Sequence, residues 1–290
     1  MSIKLIESRL REYDCKSKRE EINALKEIFQ EIALFALSKT VFFDKAAFQG
    51  GTCLRILYGL PRFSEDLDFI LQAPVSDFDW KEYSIVLNEE FQAFGLNLEV
   101  KDRSTASTAV KRAFLKENSF GKILTLQNGI SRSEPQKIII KLEIDTKPPA
   151  SSIFIQQFVD FPFPYSVMTQ DMPSLFASKC HALLCRPFIK GRDWFDFLWY
   201  VSRGEQINIE HLKSALFQMG PWKGEEIILD KQWMRKALED KIMSLDWDLA
   251  RSDVENLIRD DFRGSVLKWT EEMFLHYLYK CLEATFWKEK

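Results

Sequence analysis

Hydrophobic positions follow helical spacing near the start of the chain and change to a period of two further on. Apolar residues three and four apart predict a helix over residues 17–39, and a charged amphipathic pattern predicts another over 4–13. From residue 64 to 71 polar and apolar side chains alternate, which is typical of a half-buried strand. Asp66 and Asp68 share one face of that strand, and Leu67, Phe69 and Leu71 share the other. The pattern therefore predicts two carboxylates side by side.

The remaining pattern divides the chain into three parts. After a predicted helix at about 80–93, strands are predicted at 96–100, 109–116, 120–127 and 137–147, with a turn at 128–136. The Phe- and Pro-rich stretch 158–165 interrupts regular structure, and helical spacing continues to the end of the chain. We expect N-terminal helices over residues 1–40, an α/β core over 41–165 and a helical C-terminal domain over 166–290.

The predicted strand at 137–147 carries a second group of charges. One face holds Ile140, Leu142 and Ile144. The opposite face either is a solvated row of alternating charges or supplies a third carboxylate next to Asp66 and Asp68. Asp145 is preferred for that role because it ends the strand, where site residues gather, but Glu143 remains an alternative. This opposite face comprises Lys141, Glu143 and Asp145.

Composition restricts the class of protein. A content of 46% hydrophobic and 29% charged residues in 290 is ordinary for a globular protein. The net charge of −3 argues against broad nucleic-acid binding and leaves room for a local basic groove. Five cysteines without a CxxC pair indicate reduced thiols. No signal peptide or membrane span is apparent, so a cytoplasmic protein without a membrane partner is expected.

A glycine turn precedes the Asp-x-Asp strand. Gly50 and Gly51 open a helical pattern that Gly59 and Pro61 end. Backbone N–H groups of such a turn and the helix N-terminus can face an anion, while two carboxylates on a strand can hold a divalent cation. Either feature alone could be only a turn or a solvated face. Together they fit phosphoryl or nucleotidyl transfer, whereas a P-loop is excluded because no GxxxxGK[ST] pattern is present.

The spacing of these residues resembles a known family. GGTxLR followed by RxSxDLDF is similar to the nucleotidyltransferases typified by the AbiEii and AbiGii toxins of type IV toxin–antitoxin systems, within the polymerase-β-like superfamily. The resemblance is dense over residues 45–72 and sparser over 135–200. The matching positions are Gly50, Gly51, Thr52, Leu54, Arg55, Arg62, Ser64, Asp66, Leu67, Asp68 and Phe69.

The resemblance implies a polymerase-β-like core with a mixed sheet, followed by the helical domain. It implies that Asp66, Asp68 and either Asp145 or Glu143 hold Mg²⁺ or Mn²⁺. It also implies that an NTP is the substrate, whose α-phosphate is attacked by an acceptor hydroxyl. The expected nucleotide-binding residues are Gly50, Gly51, Thr52, Arg55 and Ser64, although Ser64 could equally be an ordinary capping serine.

A second segment also resembles the family: a helix with one lysine, then an arginine, then RDxxD. The resemblance implies that Lys179 contacts the nucleotide phosphates and that Asp193 or Asp196 is an essential acid. The alternative is a structural ion pair, because a lysine in the apolar helix SLFASKCHALL needs a partner. The segment comprises Lys179, Arg186, Arg192, Asp193 and Asp196.

The resemblance further implies an RNA acceptor such as tRNA and a cognate antitoxin. Basic residues expected near the cleft, namely Arg55, Arg62, Arg186, Lys190 and Arg192, support the RNA hypothesis. Two other functions remain open. One is a nucleotidyltransferase that modifies a small molecule, and the other is a non-catalytic nucleotide-binding or interaction protein.

Overall fold

The computed structural model describes residues 3–75, 78–102, 119–128 and 136–287. The described chain forms two compact units. Unit 1 lies within Met1–Pro148 and Phe154–Thr169, and unit 2 within Pro149–Ile153 and Gln170–Lys290. The N-terminal helices belong to unit 1, because α1 and α2 pack onto its core through residues such as Ile6, Ile28 and Phe29.

Local signals set the helices of unit 1. Ser17 caps the long second helix by accepting a hydrogen bond from the backbone of Glu20. Gly59 ends the fourth helix in the left-handed conformation, which glycine adopts without steric cost. The helices are α1 (Ile3–Glu12), α2 (Lys18–Ser38), α3 (Phe42–Lys45), α4 (Gly50–Tyr58) and α5 (Lys81–Ala93).

Seven described strands form one mixed sheet in the order β3-β4-β5-β2-β1-β7-β6. β2 pairs antiparallel with β1 and parallel with β5, and β1 pairs parallel with β7. β4 pairs antiparallel with both β3 and β5. The strands are β1 (Ala46–Gln49), β2 (Asp66–Leu71), β3 (Asn97–Asp102), β4 (Ser119–Asn128), β5 (Gln136–Asp145), β6 (Phe154–Val159) and β7 (Tyr165–Gln170).

The α/β prediction with a mixed sheet is confirmed, and so are the predicted strands that became β2, β3, β4 and β5. The predicted strand at 109–116 and most of the turn at 128–136 lie outside the described residues. Three strands were missed: β1, β6 and β7. The expectation of helices from residue 166 onward is wrong for β7, which pairs with β1. β1 is four residues long and buried throughout, so it shows no alternation to detect.

An aromatic core lies behind the apolar face of β2. Leu67 and Phe69 are completely buried there. The ring of Phe42 packs edge-on against Phe69 at 4.8 Å between centroids and against Tyr83 at 5.1 Å. Because this packing fixes one face of β2, Asp66 and Asp68 must point to the other face.

Unit 2 is helical apart from its first residues. Asp171 caps its first helix, α6, by accepting from the backbone of Ser174. A Cβ at Gly191 would lie 1.7 Å from the carbonyl oxygen of Ala250, so only glycine allows this close approach. The helices are α6 (Met172–Cys185), α7 (Gly191–Ser202), α8 (Ile209–Gln218), α9 (Lys231–Met243), α10 (Trp247–Glu255), a 3₁₀ turn (Asp260–Phe262), α11 (Arg263–Val266) and α12 (Glu271–Thr285). None of the helices in the described ranges is long and apolar enough to span a membrane.

Candidate active site

The register of β2 and β5 brings carboxylates of the two strands together. Asp68 pairs with Glu143, Asp66 pairs with Lys141, and Ile70 pairs with Asp145. Residues paired across neighbouring strands point to the same face of the sheet. Asp66, Asp68 and Glu143 therefore share the face opposite the aromatic core. The register favours Glu143 over Asp145 as the direct neighbour of Asp68.

The surroundings of these acids differ. Glu143 is 8% exposed, whereas Asp66, Asp68 and Asp145 are half-buried. Lys141 Nζ lies 3.9 Å from Asp66 Oδ1, at the limit of an ion pair. Asp145 accepts a hydrogen bond of 2.9 Å from the backbone of Lys147, and this contact closes the end of β5. Asp145 thus has a local structural contact that the sequence pattern did not predict.

Gly50 places the backbone directly against Asp68. Gln49, the last residue of β1, pairs with Asp68, and the chain turns at Gly50 with φ of +81°. A Cβ at Gly50 would lie 2.5 Å from Asp68 Oδ2. Glycine is required here both for its positive φ and for this close approach.

The segment that precedes β2 packs closely against Gly51. A Cβ there would lie 2.6 Å from Arg62 Nη2 and 2.9 Å from Ser64 Oγ. Arg62 is 2% exposed and donates to the carbonyl of Phe63 at 2.9 Å. Thr52, one residue further along α4, donates its hydroxyl hydrogen bond to the carbonyl of Asp66. The start of α4 is thereby tied to the start of β2.

Arg55, predicted to bind nucleotide, makes its contacts inside unit 1. Its Nε lies 2.9 Å from Glu27 Oε2, and its Nη1 donates to the carbonyl of Leu60 at 2.9 Å. Its guanidinium also lies over the ring of Phe63, 4.7 Å from the centroid. These three contacts connect α2, α4 and the segment that follows α4.

In unit 2 the Lys179 side chain joins two buried carboxylates. Lys179 Nζ lies 2.6 Å from Asp193 Oδ1 and 2.9 Å from Asp196 Oδ2. Asp193 is 4% exposed and Asp196 is completely buried. Both acids lie on α7 and Lys179 lies on α6, so the pairs hold the two helices together. The ion pair considered as an alternative in the sequence is therefore present, and it involves both acids.

Further cations surround the same carboxylates. Arg186 Nη1 lies 2.7 Å from Asp193 Oδ2. Burial acts to raise the pKa of Asp193, but the charges of Lys179 and Arg186 hold that pKa well below its usual range. Burial lowers the pKa of Lys190 to about 8, against the opposing effect of Asp193. Arg192 lies 3.5 Å from Asp253 through its Nε.

A model of the AbiEii nucleotidyl transferase toxins, from type IV toxin–antitoxin systems, matches residues 32–270. The chain belongs to this family. It is therefore a nucleotidyltransferase of the toxin type. The matched range includes the glycine turn, Asp66, Asp68 and the Lys179 cluster, and it begins after most of α2. Among curated proteins, no sequence matches this chain.

Solved structures resemble this AbiEii-family chain in fold. MenT4, a nucleotidyltransferase toxin from Mycobacterium tuberculosis H37Rv, is 17% identical, with a TM-score of 0.51 over 95% of this chain and 99% of that one. JHP933 from Helicobacter pylori is 17% identical, with a TM-score of 0.49 over 90% of each chain. The likeness to MenT4 extends the fold assignment over both units.

Two buried polar residues of α2 contact Arg55 and the segment before β2, and sequence analysis did not single them out. Glu27 and Gln30 lie on α2 and are 6% and 0% exposed. They lie among the apolar positions from which the helix over residues 17–39 was predicted. Polar side chains on the buried face of a helix require partners, and that requirement was the signal available in the sequence.

Proposed function

We propose that this nucleotidyltransferase moves a nucleotide from an NTP to an acceptor hydroxyl in a reaction that depends on a divalent cation. The observation that carries the proposal is the register of Asp68 with Glu143 directly beside Gly50. It puts an acidic strand face next to a turn at a helix N-terminus. The acidic face can bind a cation, and the turn can bind phosphate oxygens.

Asp66 and Asp68 are the proposed ligands of Mg²⁺ or Mn²⁺, with Glu143 beside them and Asp145 as the alternative. Among the described side chains, no group of three or more His, Cys, Asp or Glu residues is arranged to hold a metal. Mg²⁺ in nucleotide sites is held by one or two carboxylates together with water and substrate phosphates, so the proposal requires only Asp66 and Asp68 as protein ligands. When bound, the cation would neutralise charge on the phosphates and on the leaving pyrophosphate.

The start of α4 is proposed to bind the triphosphate. Backbone N–H groups at Gly51 and Thr52 lie in the first turn of the helix, where they have no intrahelical partner. Ser64 and Arg62 adjoin Gly51 and supply a hydroxyl and a positive charge. Arg55 does not need to contact the nucleotide to stabilise this turn, because it links α4 to Glu27 of α2 and to the carbonyl of Leu60. We therefore assign Arg55 a structural role in nucleotide binding rather than a direct contact.

The Lys179 cluster is proposed to contribute a cation for the phosphates. Its role rests on the family resemblance and on the cations Lys179 and Arg186, which contact Asp193 and Asp196. The two carboxylates fix the position of the ammonium group, so little reorganisation is needed when charge develops on a phosphate. Asp193 and Asp196 would then act on the reaction through Lys179.

An RNA acceptor, with tRNA as the example, and a cognate antitoxin are proposed from family membership. The basic residues that the sequence suggested for RNA binding lie in both units. Arg62 is buried and Arg55 pairs with Glu27, so neither supports an RNA surface. Arg186 and Arg192 of unit 2 also pair with acids, namely Asp193 and Asp253, so the RNA proposal is carried by family membership and not by these contacts. A small-molecule acceptor is the competing proposal.

The decisive experiment supplies the protein with each labelled NTP, Mg²⁺ or Mn²⁺, and total cellular RNA. We expect one NTP to label an RNA in a reaction that EDTA stops. The Asp66→Asn and Asp68→Asn variants should abolish labelling, whereas Asp160→Asn, an exposed acid of unit 1, should retain it. Labelling of a small molecule instead of RNA would favour the competing acceptor. Transfer that persists in both site variants would refute the proposed cation site.

A further inference from the structure

Side chains of α2 contact the segment between α4 and β2, partly through Arg55. Glu27 on α2 pairs with Arg55, and the same guanidinium donates to the carbonyl of Leu60. Both side chains of the pair are largely buried, with 8% of Glu27 and 15% of Arg55 exposed. A pair this buried is sensitive to loss of either partner, because the remaining charge has no water to replace it.

One turn further along α2, Gln30 makes a second connection. Gln30 is completely buried, and its Nε2 donates to the carbonyl of Ser64 at 3.2 Å. Next to Glu27 on the helix, Lys26 Nζ lies 3.0 Å from Glu65 Oε1. Gln30 and Lys26 therefore contact the segment immediately before Asp66 directly, and Glu27 acts on it through Arg55.

This segment sets the geometry between the glycine turn and the acidic face. Ser64 contacts Gly51 through its hydroxyl, and Asp66 follows Ser64 by two residues. A displacement of residues 60–65 would move the proposed phosphate-binding turn relative to the proposed cation ligands. Reacting groups that are misplaced by about 1 Å can lose on the order of a hundredfold in rate.

We propose that Glu27 and Gln30 are positioning residues for nucleotidyl transfer. Glu27 acts through Arg55, and Gln30 acts through the backbone of Ser64. The inference rests on the proposed function of the Asp66 and Asp68 site. It extends the functional unit to residues of α2 that precede the family match at 32–270.

Glu31 provides a matched control. It lies one turn after Glu27 on the same helix, is 3% exposed, and pairs with Arg9 of α1 at 2.8 Å. Neither Glu31 nor Arg9 contacts residues 60–65 through the side-chain bonds described above. Glu27→Gln and Glu31→Gln make the same side-chain change in two ion pairs of α2, of which only the first bonds Arg55 directly, although the charge of Glu31 also acts on Arg55.

We expect Glu27→Gln to lower kcat/KM for transfer by about tenfold, with the Mg²⁺ dependence unchanged, and Glu31→Gln to lower it by less than about twofold. The losses from Glu27→Gln and Arg55→Lys should add to less than their sum, because the two residues form one pair, although Arg55→Lys also removes the contact with Leu60. If Glu27→Gln and Glu31→Gln have equal rates when both are folded, the proposal is overturned.

Amide hydrogen exchange tests the same inference without an activity. Glu27→Gln should speed exchange within residues 50–66, and Glu31→Gln should leave those residues as in the wild type. Unchanged exchange over 50–66 in Glu27→Gln would also overturn the proposal. If the wild type transfers no nucleotide at all, the proposed function fails, whereas the exchange result still decides whether Glu27 holds this segment.

Discussion

The two groups of carboxylates in this protein differ in how their charge is compensated. In unit 1, Asp66 and Asp68 lie half-exposed beside Glu143, and the ion pair of Asp66 with Lys141 spans 3.9 Å. In unit 2, Asp193 and Asp196 are buried, and Lys179 contacts them at 2.6 and 2.9 Å. The first group is the proposed site of an added cation, whereas the second holds its cations within the fold.

This difference teaches that an acid can be required for either chemistry or stability. Two carboxylates on one strand face repel each other unless a cation or a proton lies between them, and the proposed cation site rests on that argument. Buried acids in short ion pairs make the fold depend on both partners, because removing one partner leaves an uncompensated buried charge. Substitutions in the carboxylate group of unit 1 should therefore affect mainly the transfer rate. Substitutions in the group of unit 2 should affect mainly the free energy of unfolding.

The largest expected effect separates rate from stability in unit 1. Asp68→Asn should lower the transfer rate on the order of a thousandfold, because a ligand of the proposed cation at the reacting phosphates is lost. The melting temperature should stay the same or rise, since repulsion from Glu143 is relieved. Steady-state rates and a thermal melt on the same preparation measure both. A variant that transfers normally but melts early would reverse the comparison.

The next prediction tests how far Lys179 compensates the charges of Asp193 and Asp196 in unit 2. Lys179→Met should lower the free energy of unfolding by about 3–5 kcal/mol, because Asp193 and Asp196 lose a buried partner. Lys141→Met is the matched change in unit 1. Its side chain is 44% exposed, and the loss should stay below about 1 kcal/mol. Denaturant unfolding of both variants provides the comparison, and equal losses would contradict it.

The Lys179→Met variant also tests the lysine in catalysis. If the lysine serves the phosphates, its rate per folded molecule should fall on the order of a hundredfold in addition to the loss of stability. Adding Asp196→Asn should recover part of the stability, because one unpaired carboxylate is removed, but none of the rate. Recovery of both would mean that Lys179 is purely structural.

A smaller effect concerns alkaline pH and unit 2. Burial lowers the pKa of Lys190 from 10.5 to about 8 in the fold, with Asp193 opposing that effect and Arg186, Arg192 and Lys179 adding to it. The unfolded chain therefore binds more protons between these values, and this residue makes stability rise with pH from about 8 to 10.5. Lys190→Met should remove that rise, measured as the wild-type minus variant difference in unfolding free energy. An identical pH profile would refute the assignment.

The smallest effect concerns acidic pH and unit 1. Burial raises the pKa of Glu31 to about 7 from 4.5, against the opposing charge of Arg9. The folded chain then binds more protons than the unfolded chain in this range. The contribution of Glu31 to stability is therefore complete below about 4.5 and is lost as pH rises through about 7. Glu31→Gln should flatten the profile between these values, and a steeper profile would contradict the prediction.

Local pattern was sufficient for much of the fold and for part of the site. The alternation in β2 and β5 and the Gly50–Gly51 turn were readable because each depends on neighbours within a few residues. β7 was missed because its place next to β1 is decided by pairing across more than a hundred residues. The same limit applied to Arg55, whose partner Glu27 lies in another helix.

The sequence by itself determined that two aspartates share a strand face and follow a glycine turn at a helix N-terminus. These features are local, because the side-chain period of a strand and the positive φ of Gly50 need no distant contact. Only the tertiary structure decided that Glu143, rather than Asp145, is level with Asp68. The sequence pattern leaves that choice open, because strand register is set by the packing of β2 against β5 and the buried face behind them.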